Sequence, residues 1–396
     1  MMLFNEYGEV LWKRDLGRGV VPGVWFCPVL AFDVDGDGVD EIWYVNNKNP
    51  QHPLGLSSYC LERLDSLTGM TTGQWKWPNY GGAQDLSHVF RNFILGGYVE
   101  GQPVLVTAQG TYGSMFLQGY KAGMESIWET VIREDEPGAR GSHMTPVVDL
   151  NSDGIDELMW GERCIELKNG KELFCCDRDT YNGHSDIIQP VLDKDSGKWF
   201  IFTCREGDDK AAPRIVLYDS EGQRVWGDVE LGHIDMGWVA RLGEKGEFVS
   251  MGIRIGHKIC GPDGRYHQGM DEFSYQALSG IPYRLPFSLY KTIPVDLNGD
   301  GIHELVQGAP GGNGKVMDRA GNVIGNIGGA VALAAKLLDH PGEQLLSYSS
   351  DGYIRIWGDA NASDSEEAQE RYQHPYYKAA MRVAANGYNL CNLGGL

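Results

Sequence analysis

Apolar and acidic positions follow a repeating order along the chain. In three segments an apolar strand precedes an Asp-rich turn and a second apolar strand follows it, at residues 32–45, 148–161 and 295–308. In four more segments the two apolar strands remain and the acidic turn is lost, at residues 97–108, 191–202, 240–251 and 337–348. Short apolar runs bounded by Gly and Asp turns are typical of β-strands. The pattern therefore predicts seven copies of one strand–turn–strand unit.

A second hairpin follows most of these copies. Its turns carry Asn169-Gly170, Glu221-Gly222 and Ala320-Gly321 between apolar runs, and a residue followed by Gly is favoured in tight hairpin turns. One repeat is thus four strands over about 40 to 55 residues, and such a unit buries its faces only against neighbouring units. The sequence predicts an all-β fold, a seven-bladed β-propeller of four-stranded blades.

The two ends of the chain predict how the ring closes. No fourth strand follows residues 353–358 in the last repeat, whereas the chain begins with an unmatched strand at residues 9–16. Pairing the N-terminal strand into the last blade removes two exposed strand edges. We therefore expect one propeller domain over the whole chain, with residues 1–15 as closing strands, 16–359 as blades and 360–396 as a helix or loop packed over the closure.

Charge and cysteine content exclude several classes of protein. The formal net charge is −20, which opposes the approach of nucleic acid or of an anionic membrane. The sequence has no apolar run of about 18 residues and no signal-peptide pattern at its start. Its eight cysteines show no metal-type spacing, which favours free thiols. We expect a cytoplasmic monomer, or a secreted or periplasmic protein if an export signal has been removed.

The Asp-rich turns place oxygen atoms at a spacing that calcium prefers, because alternate side chains converge when the turn curls and Gly permits the positive φ. The ligand positions are Asp33, Asp35 and Asp37, then Asp149, Asn151 and Asp153, then Asp296, Asn298 and Asp300. The same side chains can instead cap their own backbone amides. The turns suggest structural Ca²⁺ and no catalytic role, and nothing in the sequence indicates an organic cofactor.

Histidines recur at one position of the repeat. The residue fourteen positions before the second strand is His88, His143, His184 and His233 in repeats two to five, and Tyr290 in repeat six. This position precedes the innermost strand, so the side chains should line the axial opening at the end opposite the Asp-rich turns. One such histidine alone is adequately explained as a hydrogen-bonded strand end. Four that converge favour a functional pocket.

The connections between second and third strands return to the same face. They carry Tyr112, Arg205, Arg254 and His257. Tyr112 and Tyr290 could instead be ordinary rim aromatics, and the two arginines could pair with acidic neighbours. We expect a basic, aromatic pocket on this face.

Several stretches resemble a known family. Residues 141–174, 182–193, 91–114 and 372–389 are similar to the propeller-type polysaccharide lyases and rhamnosidases that act on rhamnose–uronate glycans, among them rhamnogalacturonan, ulvan and rhamnose–glucuronate lyases. The chain length resembles the seven-bladed members more than the eight-bladed rhamnogalacturonan lyases. The resemblance implies an enzyme that binds a uronate-containing oligo- or polysaccharide and cleaves a rhamnose–uronic acid linkage by β-elimination.

The resemblance also implies roles for individual residues. A lyase must neutralise the uronate carboxylate, remove the C5 proton and protonate the departing O4. We expect His143 and His184 to act as base and acid in an order that the sequence leaves open, with Tyr112 as an alternative, and Arg205 or Arg254 to neutralise. The expected substrate-binding residues are His88, Arg91, His233, His257 and Tyr290.

Two other functions fit the same scaffold. One is an α-L-rhamnosidase, which is disfavoured because no obvious pair of carboxylates lies in the predicted pocket. The other is a non-catalytic carbohydrate-binding or adhesion propeller, which the integrin-like Asp-rich turns alone would suggest.

Overall fold

The computed structural model describes residues 1–51, 55, 58–78, 91–207, 211–260, 262, 266–385 and 394–396, with backbone alone for 257–260, 266–268 and 383–385. Within these ranges the chain forms one N-terminal hairpin and seven antiparallel sheets of three to five strands. The hairpin consists of β1 (Met2–Phe4) and β2 (Val10–Lys13).

The first three sheets follow one another along the chain. Sheet one contains β3 (Val29–Phe32), β4 (Glu41–Asn47), β5 (Tyr59–Leu64) and β6 (Thr71–Lys76). Sheet two contains β7 (Asn92–Val99), β8 (Gln102–Gln109), β9 (Met115–Tyr120) and β10 (Ser126–Ile132). Sheet three contains β11 (Val147–Val148), β12 (Glu157–Trp160), β13 (Arg163–Glu166) and β14 (Glu172–Cys175). A short 3-10 helix, Ala122–Met124, joins β9 to β10.

Four further sheets follow in the same order. Sheet four contains β15 (Ser185–Asp193), β16 (Lys198–Arg205), β17 (Ile215–Asp219) and β18 (Arg224–Asp228). Sheet five contains β19 (His233–Arg241), β20 (Phe248–Cys260) and β21 (Tyr266–Gln276). Sheet six contains β22 (Ile293–Val295), β23 (Glu304–Val306), β24 (Lys315–Met317) and β25 (Val323–Asn326). Sheet seven contains β26 (Ala330–Ala335), β27 (Gln344–Tyr348) and β28 (Ile354–Trp357).

The first strands of successive sheets lie side by side. Strand β7 contacts β3 and β11, and β19 contacts β15 and β22, which in turn contacts β26. This radial order of antiparallel sheets around an axis is that of a β-propeller. The all-β propeller fold is therefore confirmed, and each predicted repeat corresponds to one sheet. A closed ring of seven blades stays a prediction.

The ends of the chain differ from the predicted closure. In the described part of the chain, β2 pairs with β1, whereas sheet seven ends at β28. A C-terminal strand, β29 (Val383–Ala385), instead pairs with β3 and makes sheet one five-stranded. Closure by the N-terminal strand is thus not confirmed, because a hairpin turn within the first fourteen residues satisfies β2 locally.

The C-terminal segment lies against the Asp-rich turn of sheet six. Helix α1 (Glu366–Gln373) begins at the capping side chain of Ser365, and helix α2 (Pro375–Met381) begins with proline at its first turn. The amides of Ser363 and Ser365 donate to the carbonyls of Asn298 and Gly299 at 3.0 and 2.7 Å. The tail is therefore helical at its start, and its packing fixes the turn of sheet six.

The hydrophobic core lies between the sheets. Its largest cluster joins sheets three, four and five to both C-terminal helices, and Leu396 is buried in it. No disulfide joins the six cysteines whose side chains are described. Among the placed residues, no helix has the length and apolar character needed to cross a bilayer.

Candidate active site

His143 and His184 come together because the loops before sheets three and four are joined. Ser142 and Ser185 form a parallel bridge, and the His143 amide donates to the Ser185 carbonyl at 3.2 Å. The two imidazole centroids lie 4.4 Å apart at an interplanar angle of 71°. Both side chains are buried. The structure therefore brings two of the four predicted histidines into direct contact.

A β-bulge turns a carboxylate toward these histidines. In sheet four, Ser185 pairs with Arg205 and Ile187 pairs with Cys204, which leaves Asp186 as the extra residue. Bulges re-aim side chains in this way and are common beside active sites. The strand β19 has the same irregularity at Asp235. Both aspartates follow a repeat histidine by two positions.

Four side chains form what we call the central cluster: His143, His184, Asp186 and Glu206. The Nε2 atom of His143 lies 3.0 Å from Asp186 Oδ1 and 3.7 Å from Glu206 Oε2. The Nε2 atom of His184 lies 3.8 Å from the same Glu206 oxygen. Tyr112 donates its hydroxyl to that oxygen at 3.0 Å. The cluster thus joins two imidazoles, two carboxylates and one phenol.

Arg91 fixes the orientation of His143. One of its Nη1 hydrogens faces His143 Nδ1 at 3.1 Å, and its guanidinium stacks 3.7 Å above the Trp25 ring. A guanidinium can only donate, so Nδ1 of a neutral His143 accepts and its Nε2 carries the hydrogen. Asp186 Oδ1 lies 3.0 Å from that nitrogen. His143 is therefore positioned as a donor within the cluster.

His184 has the opposite arrangement. Its Nδ1 lies 3.4 Å from the Arg140 carbonyl, so the hydrogen belongs on Nδ1. Its Nε2 is buried and has no hydrogen-bond partner among the described residues. The Tyr112 ring stacks on the imidazole at 4.2 Å and 29°. His184 therefore presents an unused nitrogen lone pair to the site.

Burial and neighbouring charge divide the two imidazoles further. Burial, together with the nearby His143, holds the pKa of His184 well below its usual 6.5. Burial also lowers the pKa of His143, but hydrogen bonds to Asp186 and Glu206 outweigh it, and that pKa is raised. The pKa values of the two imidazoles are therefore shifted in opposite directions.

The two carboxylates also differ. Burial raises the pKa of Asp186 to about 7 against the opposing hydrogen bond from His143. Burial also raises the pKa of Glu206, but hydrogen bonding to His143 and to Tyr112 lowers it to about 2. Burial and the negative Glu206 raise the pKa of Tyr112, which keeps its hydroxyl protonated. Glu206 is thus the constant negative charge of the site.

A cavity of about 410 Å³ lies beside Met144 and Ile187, the residues that follow His143 and Asp186 in the chain. Its wall includes Met144, Ile187, Met236 and Met251, and its polar groups include Asp235, Tyr290 and Lys291. Lys291 has φ +61°, a left-handed conformation that costs energy for a lysine and is concentrated at functional sites. No carboxylate in the described part of the chain pairs with it. Lys291 is therefore available to an anionic ligand.

The two arginines predicted as neutralisers lie outside the cluster. Arg205 is fully buried and pairs with Glu162 at 2.6 Å and Asp177 at 2.8 Å. Arg254 pairs with Asp271 at 2.7 Å. Both guanidinium groups already pair with carboxylates, so pairing with acidic neighbours is the arrangement that the structure has. A neutralising role for either arginine stays a prediction.

The predicted substrate-binding residues have mixed positions. Arg91 contacts the cluster, and Tyr290 lines the adjoining cavity beneath the Lys291 ammonium, which lies 5.2 Å from its ring centroid. His233 is exposed and lies near Glu206 and Asp235. His88 and the side chain of His257 lie outside the described residues. Arg91, His233 and Tyr290 therefore lie near the central cluster or in the wall of the cavity. The positions of His88 and of the His257 side chain stay untested.

The described residues include three groups that could hold a metal ion, one of them Glu206, His233 and Asp235. The ligand atoms of the central cluster lie within 4.8 Å of one another, as do those of Asp33, Asp35 and Asp37. A cation in the central cluster would take the free lone pair of His184, so metal binding and a role of His184 as base exclude each other.

The Asp-rich turns use their first carboxylate to cap their own backbone. Asp33 accepts from the amides of Gly36 at 2.7 Å and Gly38 at 2.8 Å. In the third turn Asp296 accepts from Gly301 at 3.0 Å and from Arg371 at 2.9 Å. The third turn therefore already contacts a buried cation. Calcium in these turns stays a prediction.

Sequence reasoning missed Asp186, Glu206, Asp235 and Lys291. A usable signal existed for two of them, since His184 and His233 are each followed two positions later by Asp. Glu206 directly follows Arg205 in the sequence. The direction of its side chain could not be predicted, because it depends on where β16 ends. Nothing in the sequence distinguishes Lys291 from other lysines, because its left-handed φ angle is visible only in the structure.

Known proteins resemble the chain in sequence. The chain is 26% identical over 256 residues to the rhamnogalacturonan exolyase YesX and 23% identical over 253 residues to the rhamnogalacturonan endolyase YesW, both of Bacillus subtilis strain 168. Each match covers 56% of this chain and 40% of the relative. The matched region thus spans less than half the length of these curated relatives. No family model matches.

Solved structures share the fold. The exotype rhamnogalacturonan lyase YesX superposes with a TM-score of 0.78 at 20% identity, covering 97% of this chain and 70% of that one. The Bacillus licheniformis rhamnogalacturonan lyase PL11 gives 0.77 at 18% identity, with coverage of 100% and 71%. The sequence and fold relationships together confirm the resemblance to propeller-type polysaccharide lyases.

Proposed function

We propose that this chain is a polysaccharide lyase that cleaves a rhamnose–uronic acid linkage by β-elimination at the central cluster. Its sequence relatives are rhamnogalacturonan lyases, and the fold is shared over nearly the whole chain. The observation that carries the proposal is the buried, unpartnered Nε2 of His184. A free lone pair fixed in a water-poor pocket is the arrangement that a general base requires.

His184 acts as the base in this proposal. The Arg140 carbonyl fixes the hydrogen on Nδ1, and the depressed pKa keeps Nε2 unprotonated at neutral pH. Nε2 takes the C5 proton of the uronate, the C–H electrons form the C4–C5 double bond, and the bond from C4 to O4 breaks. The sequence did not decide which histidine is the base and which is the acid. The hydrogen on Nδ1 of His184 and the hydrogen on Nε2 of His143 support His184 as the base.

The departing O4 needs a proton, and Tyr112 is placed to supply it. Its ring stacks on His184, and its hydroxyl is held by Glu206 at 3.0 Å. Because its pKa is raised, the hydroxyl keeps its proton until negative charge develops on O4. The imidazolium form of His143, whose pKa is raised, is the alternative acid.

Two cations are candidates to neutralise the uronate carboxylate, one beside His143 and one in the wall of the cavity. Arg91 borders His143, and Lys291 has no carboxylate partner among the placed residues. Pairing with either cation lowers the pKa of the C5 carbon acid, which is the role that the sequence predicted for Arg205 or Arg254. A metal ion bound by the central cluster would also neutralise the carboxylate. It would occupy the lone pair of His184, so that His184 could no longer act as the base.

Absorbance of the unsaturated product tests the reaction. The protein is incubated with rhamnogalacturonan, ulvan or gum arabic oligosaccharides, and ultraviolet absorbance of the new conjugated alkene is followed. We expect a rise on at least one of them. Absence of a rise on all three, with active reference lyases in parallel, contradicts the proposal.

A hydrolase is the second candidate, and one observation favours it. Asp186 and Glu206 both approach Nε2 of His143, at 3.0 and 3.7 Å, and they are a candidate acidic pair that the sequence did not reveal. Rhamnose released without ultraviolet absorbance would identify a rhamnosidase. Binding without turnover, unchanged in His184→Ala, would identify a non-catalytic propeller.

A further inference from the structure

A buried ion pair lies directly behind the central cluster. Arg205 donates from Nε to Glu162 Oε1 at 2.9 Å and from Nη2 to Glu162 Oε2 at 2.6 Å. Both side chains are completely buried. Replacing such a pair by apolar residues is often neutral or stabilising, so stability alone is a weak reason for its presence.

The pair is hydrogen-bonded to the segment that carries the histidine and the aspartate. Ser185 stands between His184 and Asp186, and its hydroxyl donates to Glu162 Oε1 at 2.9 Å. Arg205 itself immediately precedes Glu206 in the chain. Glu162 therefore contacts Ser185, which is adjacent to both His184 and Asp186. It also contacts Arg205, which is adjacent to Glu206.

Tyr181 adds a second link to the same segment. Its hydroxyl donates to the His184 carbonyl at 2.6 Å, and the Arg205 guanidinium stacks on its ring at 4.0 Å. Asp177 completes the set by accepting from Arg205 at 2.8 Å and from the Tyr218 hydroxyl at 2.8 Å. The Arg205 guanidinium is thus held by two carboxylates and one aromatic ring. Reacting groups are placed precisely when the residues behind them are held in this way.

We infer that Glu162 and Arg205 are positioning residues that hold His184 and Glu206 in register across β15 and β16. This inference rests on the proposed function for its catalytic consequence. It reassigns Arg205 from substrate contact to support, and it gives Glu162, a residue with no distinguishing sequence pattern, a role in the site. Arginine is required because lysine cannot make the bidentate, stacked contact.

The test compares Arg205→Lys with Arg371→Lys. Arg371 is the matched control, since it is also buried and also pairs with two carboxylates, Asp296 at 2.9 Å and Glu343 at 3.3 Å, at the opposite end of the blades. We expect kcat of Arg205→Lys to fall by about tenfold or more with a smaller change in KM, because small misplacements of reacting groups are costly. We expect Arg371→Lys to keep the wild-type kcat.

Nuclear magnetic resonance of protein labelled with ¹⁵N-histidine gives a readout that does not require turnover. The wild type should show His184 with its hydrogen on Nδ1, and Arg205→Lys should show a mixture of tautomers, while Arg371→Lys should not. Folded Arg205→Lys with wild-type kcat and spectrum would overturn the inference. Equal loss of kcat in both variants would do the same, since it would indicate a merely structural role.

Ser185→Ala keeps the test decisive if Arg205→Lys does not fold. It removes only the hydroxyl that joins the His184 segment to Glu162, and we expect it to shift the His184 tautomer in the same direction. An unchanged spectrum in Ser185→Ala contradicts the inference. A wild type that is inactive on every substrate contradicts the proposed function, while the tautomer measurement still decides whether this pair positions His184.

Discussion

Two imidazoles in contact take opposite chemical states at the centre of this propeller. Arg91 faces Nδ1 of His143, whereas a backbone carbonyl faces Nδ1 of His184. The repeat position predicted both histidines, because their distance from the second strand is constant along the chain. Their tautomers could not be predicted, because the partner of each comes from a different part of the fold.

The pH dependence follows from the state of His184. Its pKa lies below 6.5, since burial and His143 disfavour the imidazolium. The base is therefore unprotonated from neutral pH down to that depressed pKa, and activity is lost only as pH falls through it. We predict that the acidic limb of the kcat/KM profile lies below pH 6.5. A limb at or above that value contradicts the assignment.

Tyr112→Phe separates the two candidate acids. The substitution keeps the ring that stacks on His184 and removes the hydroxyl bonded to Glu206. If Tyr112 protonates O4, kcat falls by about 10²- to 10⁴-fold while KM changes little. Steady-state kinetics of the folded variant measures this. Nearly normal kcat would assign the acid to His143.

Strands and turns differ in how far the sequence determines them. The apolar runs predicted the paired strands of all seven repeats, because each run must bury a face whichever sheet lies beside it. The bulges at Asp186 and Asp235 were not predicted, since an extra residue in a strand depends on the register of its partner. Those bulges place the carboxylates of the site.

The first Asp-rich turn is where we predict a calcium effect. Asp33 accepts from the amides of Gly36, Asp37 and Gly38, so Asp33→Ala should destabilise the fold by about 1–3 kcal/mol. It should also abolish any rise in melting temperature on adding Ca²⁺ after chelator treatment. Asp318→Ala is the control, because Asp318 caps a hairpin outside these turns. Equal calcium responses in both variants contradict a site in the first turn.

At the scale of the molecule, the chain ends were the part least accessible to sequence reasoning. Pairing of β2 into sheet seven was a reasonable expectation from two unmatched strands. The structure instead pairs β29 with β3 and packs α1 and α2 on the turn of sheet six. The packing of the C-terminal helices depends on ion pairs of Arg371 with Asp296 and Glu343. These residues are far apart in the sequence, and no sequence pattern indicates that they pair.

Arg371→Met tests how much the C-terminal segment stabilises the propeller. It leaves the buried carboxylates of Asp296 and Glu343 without their cation, which should cost about 3–5 kcal/mol of the free energy of unfolding. Urea denaturation measures this. Arg355→Met, which breaks an exposed pair with Asp351, should change little. Similar losses in both variants would contradict a specific role for the buried contact.

The proposed reaction depends on the lone pair of His184, which lies against the rings of Tyr112 and His143. The most direct test is the rate of unsaturated product formation from rhamnogalacturonan by wild type and by folded His184→Ala. We predict ultraviolet-absorbing product from the wild type and a rate at least about 10²-fold lower from the variant. Equal rates in the two proteins would contradict a base at His184, and no product from either would contradict the lyase itself.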